Sequence, residues 1–180
     1  MNMLFSVLLT FATSFCCCFS QTYTSTDAGS NVHFVIKNFA IKTGGDFKGL
    51  KGSIQFDPAK PGAGSFEVSV ETNTVDTDSE MRDEHLKGND YFNVEKYPAI
   101  NLKSTKITPS STAGRFYMFA NLTIKGITKP VEFGFSATPK DNGYLFEGEF
   151  EINRLDFTVG KKSMTLQDNV KINLSVLAKK

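Results

Sequence analysis

Through most of the chain apolar and polar residues alternate with a period of two, the spacing of strands that keep one face in a core and the other in water. Val32, Phe34 and Ile36 alternate with His33 and Lys37. Phe66, Val68 and Val70 are interleaved with Ser65, Glu67, Ser69 and Glu71. Phe116, Met118, Ala120, Leu122 and Ile124 make the longest run, and Val131, Phe133 and Phe135 follow it. Phe146, Gly148, Phe150 and Ile152 are separated by Glu147, Glu149 and Glu151, and Val170, Ile172, Leu174 and Val176 by Lys171, Asn173 and Ser175. Two weaker runs, Phe47 to Phe56 and Ala99 to Ile107, bring the expected strands to eight.

Turn residues separate these runs. Thr43-Gly44-Gly45, Asp57-Pro58 through Gly64 and Pro109 to Gly114 predict loops. Lys125-Gly126 and Asp141-Asn142-Gly143 predict tight turns, the second because Asn-Gly accepts positive φ. One stretch departs from the alternation. Thr77-Asp78-Ser79-Glu80 fits a capping box in which Thr77 caps the Glu80 amide and Glu80 reaches back. Asp78 to Lys87 then predicts a short helix, with Gly88 as its stop. With no internal repeat and no linker composition, the pattern predicts one all-β domain carrying one helix.

The outward positions are rich in Lys, Glu, Ser, Thr and Asn, the reverse of a membrane barrel. A closed soluble barrel or a sandwich remains. Eight antiparallel strands close around an interior just wide enough for side chains or one small ligand. The candidate lumen takes Phe34, Ile36 and Phe47 from the first two runs, then Phe66, Val68, Ile100 and Leu102 from the next two. Phe116, Met118, Leu122, Phe133 and Phe135 continue it, and Phe146, Phe150, Ile172 and Leu174 complete it. This set carries no ionisable group, so an occupant would be largely apolar. Small inward residues, Ala120 and Gly148, would leave room. A filled core has the same alternation, and both readings stand at this point.

Composition narrows the partners. The 180 residues hold 20 Lys+Arg against 19 Asp+Glu, so there is no electrostatic footprint for nucleic acid. Residues 1–20 contain no charged side chain, and Leu4 to Phe15 is an apolar run too short to span a bilayer comfortably. This reads as a secretory signal cut near Ser20–Gln21, although Met1–Met3 lacks the usual Lys or Arg. The mature domain is then 21–180, periplasmic or secreted. Cys16, Cys17 and Cys18 are all the cysteines, so cleavage leaves a mature chain with no disulfide, thiolate metal site or cysteine nucleophile. Phe15 before Cys16 is too bulky for lipoprotein processing, which favours simple secretion.

Longer blocks are more specific than the periodicity. Gly45-Asp46-Phe47-Lys48-Gly49-Leu50-Lys51-Gly52-Ser53-Ile54 follows the first strand. Val75-Asp76-Thr77, Arg82-Asp83-x-His85-Leu86 and Tyr91-Phe92-Asn93-Val94-Glu95-Lys96-Tyr97-Pro98 occupy the centre. Leu122-Thr123-Ile124-Lys125-Gly126-Ile127-Thr128-Lys129-Pro130-Val131, Ile152-Asn153-Arg154-x-Asp156-Phe157 and Asp168-Asn169-Val170-Lys171-Ile172 come later. In these blocks the chain resembles the YceI-like family of secreted lipid- or polyisoprenoid-binding proteins. The resemblance implies an eight-stranded antiparallel lipocalin-like barrel holding one long isoprenoid, isoprenoid quinone or related amphiphile in a tunnel. Asn38 stands where many members have a histidine, and Ala120 where glycine is common.

Four polar residues are candidates for the barrel mouth or a head group: Asn38, Asp76, His85 and Arg154. An enclosed Arg154 requires a carboxylate, with Asp76, Asp156 and Glu80 as candidates, in an ion pair locking the helix over the barrel. His85 is expected to close one barrel end through a backbone hydrogen bond, and His33 to be solvated on the outer face. With two histidines and no convergent carboxylates, no metal site is expected, and no cofactor either. The chain has no Gly-x-Ser-x-Gly elbow, phosphate loop or dinucleotide fingerprint. Asn121-Leu122-Thr123 and Asn173-Leu174-Ser175 match glycosylation sequons but fall inside expected strands. The leading expectation is a non-catalytic lipid container serving storage, transport or stress protection, with pairing of two barrels and transient membrane contact compatible with it. The alternatives are an enzyme acting on a lipid head group through His85, and a filled-barrel interaction scaffold.

Overall fold

The computed structural model describes residues 21–39 and 41–180. The expected signal segment and its cysteines lie outside the described residues. Strands β1 (Thr22–Asn38), β2 (Ile41–Phe47), β3 (Lys51–Gln55) and β4 (Ser65–Glu71) precede helix α1 (Glu80–Lys87). Strands β5 (Ala99–Pro109), β6 (Arg115–Ile124), β7 (Ile127–Lys140), β8 (Gly143–Asn153) and β9 (Asn169–Lys179) follow it. Every pairing is antiparallel between neighbours, and β1 also pairs with β9 from Thr24 to Val35, which closes the sheet. On its other edge β1 takes β3 near Tyr23 and β2 near Phe34. These two lie end to end, so nine strands form an eight-stave barrel.

Three expectations are corrected here. The run Phe47 to Phe56 is not one strand but two pieces interrupted at Lys48–Leu50, where Gly49 takes φ 72°. Asp27 holds that interruption by accepting the Gly49 and Leu50 amides at 3.0 and 2.7 Å. Thr43-Gly44-Gly45 is strand rather than loop, paired with Val35, Ile36 and Phe34. A Cβ on Gly45 would lie 2.6 Å from the Phe34 ring, and one on Gly44 would lie 2.8 Å from the His33 ring. The glycines therefore mark close approach, not a turn. The expected hairpin after β7 is present, but its positive φ of 54° falls on Asp141. Gly143 is needed for another reason, since its Cβ would stand 1.9 Å from the Ala178 carbonyl oxygen.

The capping box also forms differently. Asp78 adopts φ 59°, which turns Thr77 out of the first helical turn, and Ser79 becomes the N-cap. Asp83 instead reaches back, accepting from the Thr77 amide at 2.9 Å and the Thr77 hydroxyl at 2.5 Å. Arg82 donates to the same residue, from Nε to Oγ1 at 2.8 Å and from Nη2 to the carbonyl at 2.6 Å. Although adjacent, Arg82 and Asp83 thus converge on buried Thr77, where helical geometry alone suggested they would point apart.

Strand direction fixes which connections share an end. The turns 56–64, 109–115 and 140–143 gather at one end with Gln21 and Lys180. The hairpin 38–41, the helical connection 72–98, the turn 124–127 and the connection 154–168 gather at the other. At the first end Phe56, 1% exposed, is the hub of an aromatic plug. Its ring meets Phe116, Phe146 and Tyr144 at 5.1, 5.3 and 5.6 Å, each near perpendicular. Edge-to-face packing of this kind adds about 0.5–1.5 kcal/mol per pair beyond burial.

Candidate functional site

Above the plug the inward side chains do not meet across the barrel. They line a cavity of about 350 Å³, at the small end of the ~300–1,000 Å³ range of ligand pockets. Its floor is made by Ile54, Phe66, Phe135, Phe146 and Val176. Its walls are Phe34, Ile36, Val68, Ile100, Phe150, Ile172 and Leu174, all only half-buried although they face inward. Inward apolar side chains that keep accessible surface distinguish a lumen from a filled core, which packs to the density of a crystal. Phe47, Leu102, Met118, Leu122 and Phe133 complete the walls. Phe116 does not: it lies in the plug, 5.5 Å from Phe135.

Small residues contribute unequally to that space. Gly148 faces the lumen, and a Cβ there would press on the Phe133 ring at 3.2 Å. Its absence lets Phe133 and Phe150 stack 4.6 Å apart at 15°. That stack spans the interval where the β7–β8 ladder, running from Lys140–Gly143, stops at Phe135–Gly148. Ala120 is buried but is not part of the cavity lining.

The roof comes from connections that the alternation could not reveal. Leu86 of α1, Tyr91, Phe92, Phe157, Val159 and Leu166 all line the cavity. Phe92 sits edge-on to Phe47 at 5.4 Å, 86° apart. The one available signal was the presence of large apolar residues within otherwise polar connections. Lys125 ties the two roof segments together by donating to the carbonyls of Asn89 and Thr158 at 2.8 and 3.0 Å. The Gly160 amide adds a bond to the Asp90 carbonyl at 2.8 Å.

Arg154 is the buried cation of the roof, 3% exposed. Nε donates to the Gln167 carbonyl at 3.0 Å, Nη1 to Val159 at 2.9 Å and Nη2 to Lys161 at 2.9 Å. Its carboxylate partner is Asp168 at 3.2 Å, not Asp76, Asp156 or Glu80. The pair therefore knots the connection 154–168 on itself and does not lock the helix over the barrel. With four of its five N–H groups engaged by protein oxygens, Arg154 is held in the roof by the connection itself while still lining the cavity.

Asn38, Arg82 and His85 are exposed and border the cavity at its roofed end, where they mark the mouth; Glu147 of β8 is the other exposed residue of the lining. His85 makes no backbone hydrogen bond from its ring among the described residues; it packs at a tilt on Tyr91, 4.8 Å between centroids. Arg82 spends Nε and Nη2 on Thr77 and presents the rest of its guanidinium at the mouth. Asp76 is outside the lining, pairing through its backbone with Asp46 at 2.8 and 3.0 Å. His33 is on the outer face as expected, but it is half-buried and bonded through Nδ1 to Asp46 at 2.8 Å. Among the described residues no three His, Cys, Asp or Glu side chains converge.

The model of the YceI-like domain matches residues 23–178, all but the outermost residues of the closed sheet. The chain belongs to the YceI-like family. A UPF0312 protein of Yersinia pestis (strain Pestoides F) is 33% identical over 138 residues, covering 73% of this chain and 71% of the relative. Among solved structures, Burkholderia cenocepacia BcnA superposes with a TM-score of 0.80 at 27% identity, covering 84% of this chain and 98% of that one. A polyisoprenoid binding domain from Saccharophagus degradans implicated in plant cell wall breakdown matches at TM-score 0.69 and 12% identity, over 87% of this chain and 97% of that domain. At that identity the likeness is one of fold. The YceI-like blocks map onto the structure unevenly: Gly45 to Ile54 builds the interrupted stave, while Arg82 to Leu86 and Tyr91 to Pro98 build the roof.

Proposed function

We propose that this barrel is a non-catalytic container that takes the tail of a long apolar lipid through the mouth and shields it from water. The carrying observation is the ring of half-buried inward residues, Phe34, Ile36, Ile100, Phe150, Ile172 and Leu174, around an open apolar lumen. Each buried CH₂ contributes about 0.8 kcal/mol, so a branched or linear tail gains affinity from area without a charged contact. Polyisoprenoids, isoprenoid quinones and related amphiphiles fit this chemistry, and the fold shared with a polyisoprenoid binding domain supports the same class. The polar end of such a lipid would meet Asn38, Arg82 and His85. The charge-free apolar leader supports a role in the cell envelope, periplasmic or secreted, in storage, transport or stress protection.

The test is uptake of an apolar fluorophore such as N-phenylnaphthylamine, with displacement by lipids of different tail length. Wild-type protein should enhance its emission and lose it as a long isoprenoid is added. Phe133→Glu, which places a charge in the apolar wall, should remove uptake. A correctly folded Phe133→Glu protein that binds as well as wild type would overturn the lumen reading.

A further inference from the structure

Around the mouth the surface changes character. The hairpin between β1 and β2 exposes Phe39 at 73% and Ile41 at 72%, and Met164 in the connection 154–168 is fully exposed. These are one rim, not scattered side chains. The Phe39 amide donates to the Thr165 carbonyl at 2.7 Å, Gln167 donates to Lys37 at 2.9 Å, and Asn38 bridges to Leu166. Asn38 and Leu166 both line the cavity, so the rim borders its opening.

Two further features point to a surface rather than to incidental exposure. Phe39 has φ 54°, a left-handed conformation that bulky residues rarely adopt and that Gly or Asn would accept with less strain. Strain retained at a side chain that is largely exposed among the described residues suggests use outside the protein. The charges are also ordered. Lys37 and Lys42 face each other across the hairpin, Lys161 and Lys162 precede Met164, and neither 37–42 nor 160–167 contains an acidic residue. Lys161 pairs with Asp90 at 3.6 Å and Lys162 with Asp168, while Lys37 and Lys42 have no carboxylate partner among the described residues. Across the mouth, α1 and its approach carry four carboxylates, Asp78, Glu80, Asp83 and Glu84, against two cations, Arg82 and Lys87, so that side is net acidic.

We infer that this rim docks the protein on an anionic phospholipid surface, with Phe39, Ile41 and Met164 entering the interface and the lysines meeting head groups. The acidic helix is repelled, so the molecule tilts with the hairpin side down. The inference builds on the container reading, because docking there brings the mouth to the membrane from which a lipid would be taken. Lysines near an anionic surface contribute about fivefold each to binding, an effect confined to roughly a Debye length.

The test is flotation with vesicles of pure phosphatidylcholine and of phosphatidylcholine mixed with phosphatidylglycerol, using the full chain and, in parallel, the chain from Gln21. Wild type should float with the anionic vesicles and be released by high salt. Lys37→Gln with Lys42→Gln should weaken flotation about twenty-five-fold, at about fivefold per lysine. Phe39→Asn should weaken it while leaving the thermal midpoint unchanged or raised, because Asn relieves the positive φ. Wild type that ignores anionic vesicles, or variants that float equally well, would overturn docking. Fluorophore uptake from vesicle-free solution separates the two readings: uptake without flotation leaves the container and removes the docking rim. Flotation without uptake does the reverse.

Discussion

The two ends of the barrel are built from the same alternating strands yet do opposite things with their inward residues. At the plugged end Phe56 is in contact with the rings of Phe66, Phe116, Phe135, Tyr144 and Phe146, and it is 1% exposed. At the roofed end Phe34, Ile36, Phe150 and Ile172 keep accessible surface, and the two long connections 72–98 and 154–168 rather than strands cover the space. The difference comes from one residue more than from composition. Phe56 lies just past β3, where the chain leaves the wall, and its side chain fills the axis as no wall residue can. A barrel closed at both ends by such residues would be a packed core; closed at one end, it is a cup.

The largest effect expected from this contrast is on stability. Phe56→Ala should cost about 3–5 kcal/mol, because it empties a fully packed site. Ile172→Ala, which enlarges a space already open, should cost about 1 kcal/mol. Urea denaturation of the two variants would show the contrast directly, and equal losses would mean that the upper half is packed after all.

Next in size is the roof. Removing Arg154 leaves the buried Val159 carbonyl without its partner and takes a donor from the part-buried Gln167 and Lys161 carbonyls and from Asp168, which keeps Lys162, at about 1–3 kcal/mol for each group left unsatisfied. Arg154→Met should lower stability by about 2–4 kcal/mol, since relaxation and solvent entry recover part of the sum. It should also speed hydrogen exchange at the Val159 and Gly160 amides, whose partners are the Arg154 and Asp90 carbonyls. Arg154→Lys should recover only part of this, because an ammonium cannot span the same fork of acceptors. Unchanged exchange in Arg154→Met would show that the connection 154–168 is held by other contacts.

The smallest effect belongs to the plugged end at high pH. Burial raises the Tyr23 hydroxyl above its ordinary value of 10.0, and the nearby Tyr144 and Asp57 add to this. Below pH 10 the folded and unfolded chains both keep the proton, so the full stability is present. As pH rises from there toward the raised folded value, the unfolded chain ionises first and stability falls. Tyr23→Phe should flatten that decline in a pH series of denaturation midpoints, and an unaltered slope would assign it to other groups.

These contrasts also explain what could be seen in the sequence. The wall was legible because a period-two pattern is imposed on every strand that separates lumen from water, and all but one of the lumen candidates face the cavity. Phe116 was misplaced because alternation gives the face of a strand, not the height along the barrel. The glycines at 44 and 45 resembled a turn because the rings that cross them, His33 and Phe34, come from the partner strand. The roof was hardest to read. Leu86, Tyr91, Phe92 and Val159 follow no period, and the Arg154–Asp168 pair, fourteen positions apart, forms only once the connection between them folds back on itself. The capping box failed for a local reason, the positive φ at Asp78, which moved Thr77 from helix cap to anchor.

The most direct test of the cup is native mass spectrometry of the protein purified from its own host, followed by solvent extraction of whatever is bound. A container predicts one adduct per chain that resolves into an isoprenoid, quinone or long-acyl species, and a thermal midpoint that rises when that lipid is added back. A bare protein mass, with no shift in midpoint on adding any such lipid, would contradict the account and leave the upper half of the barrel an empty space without a tenant.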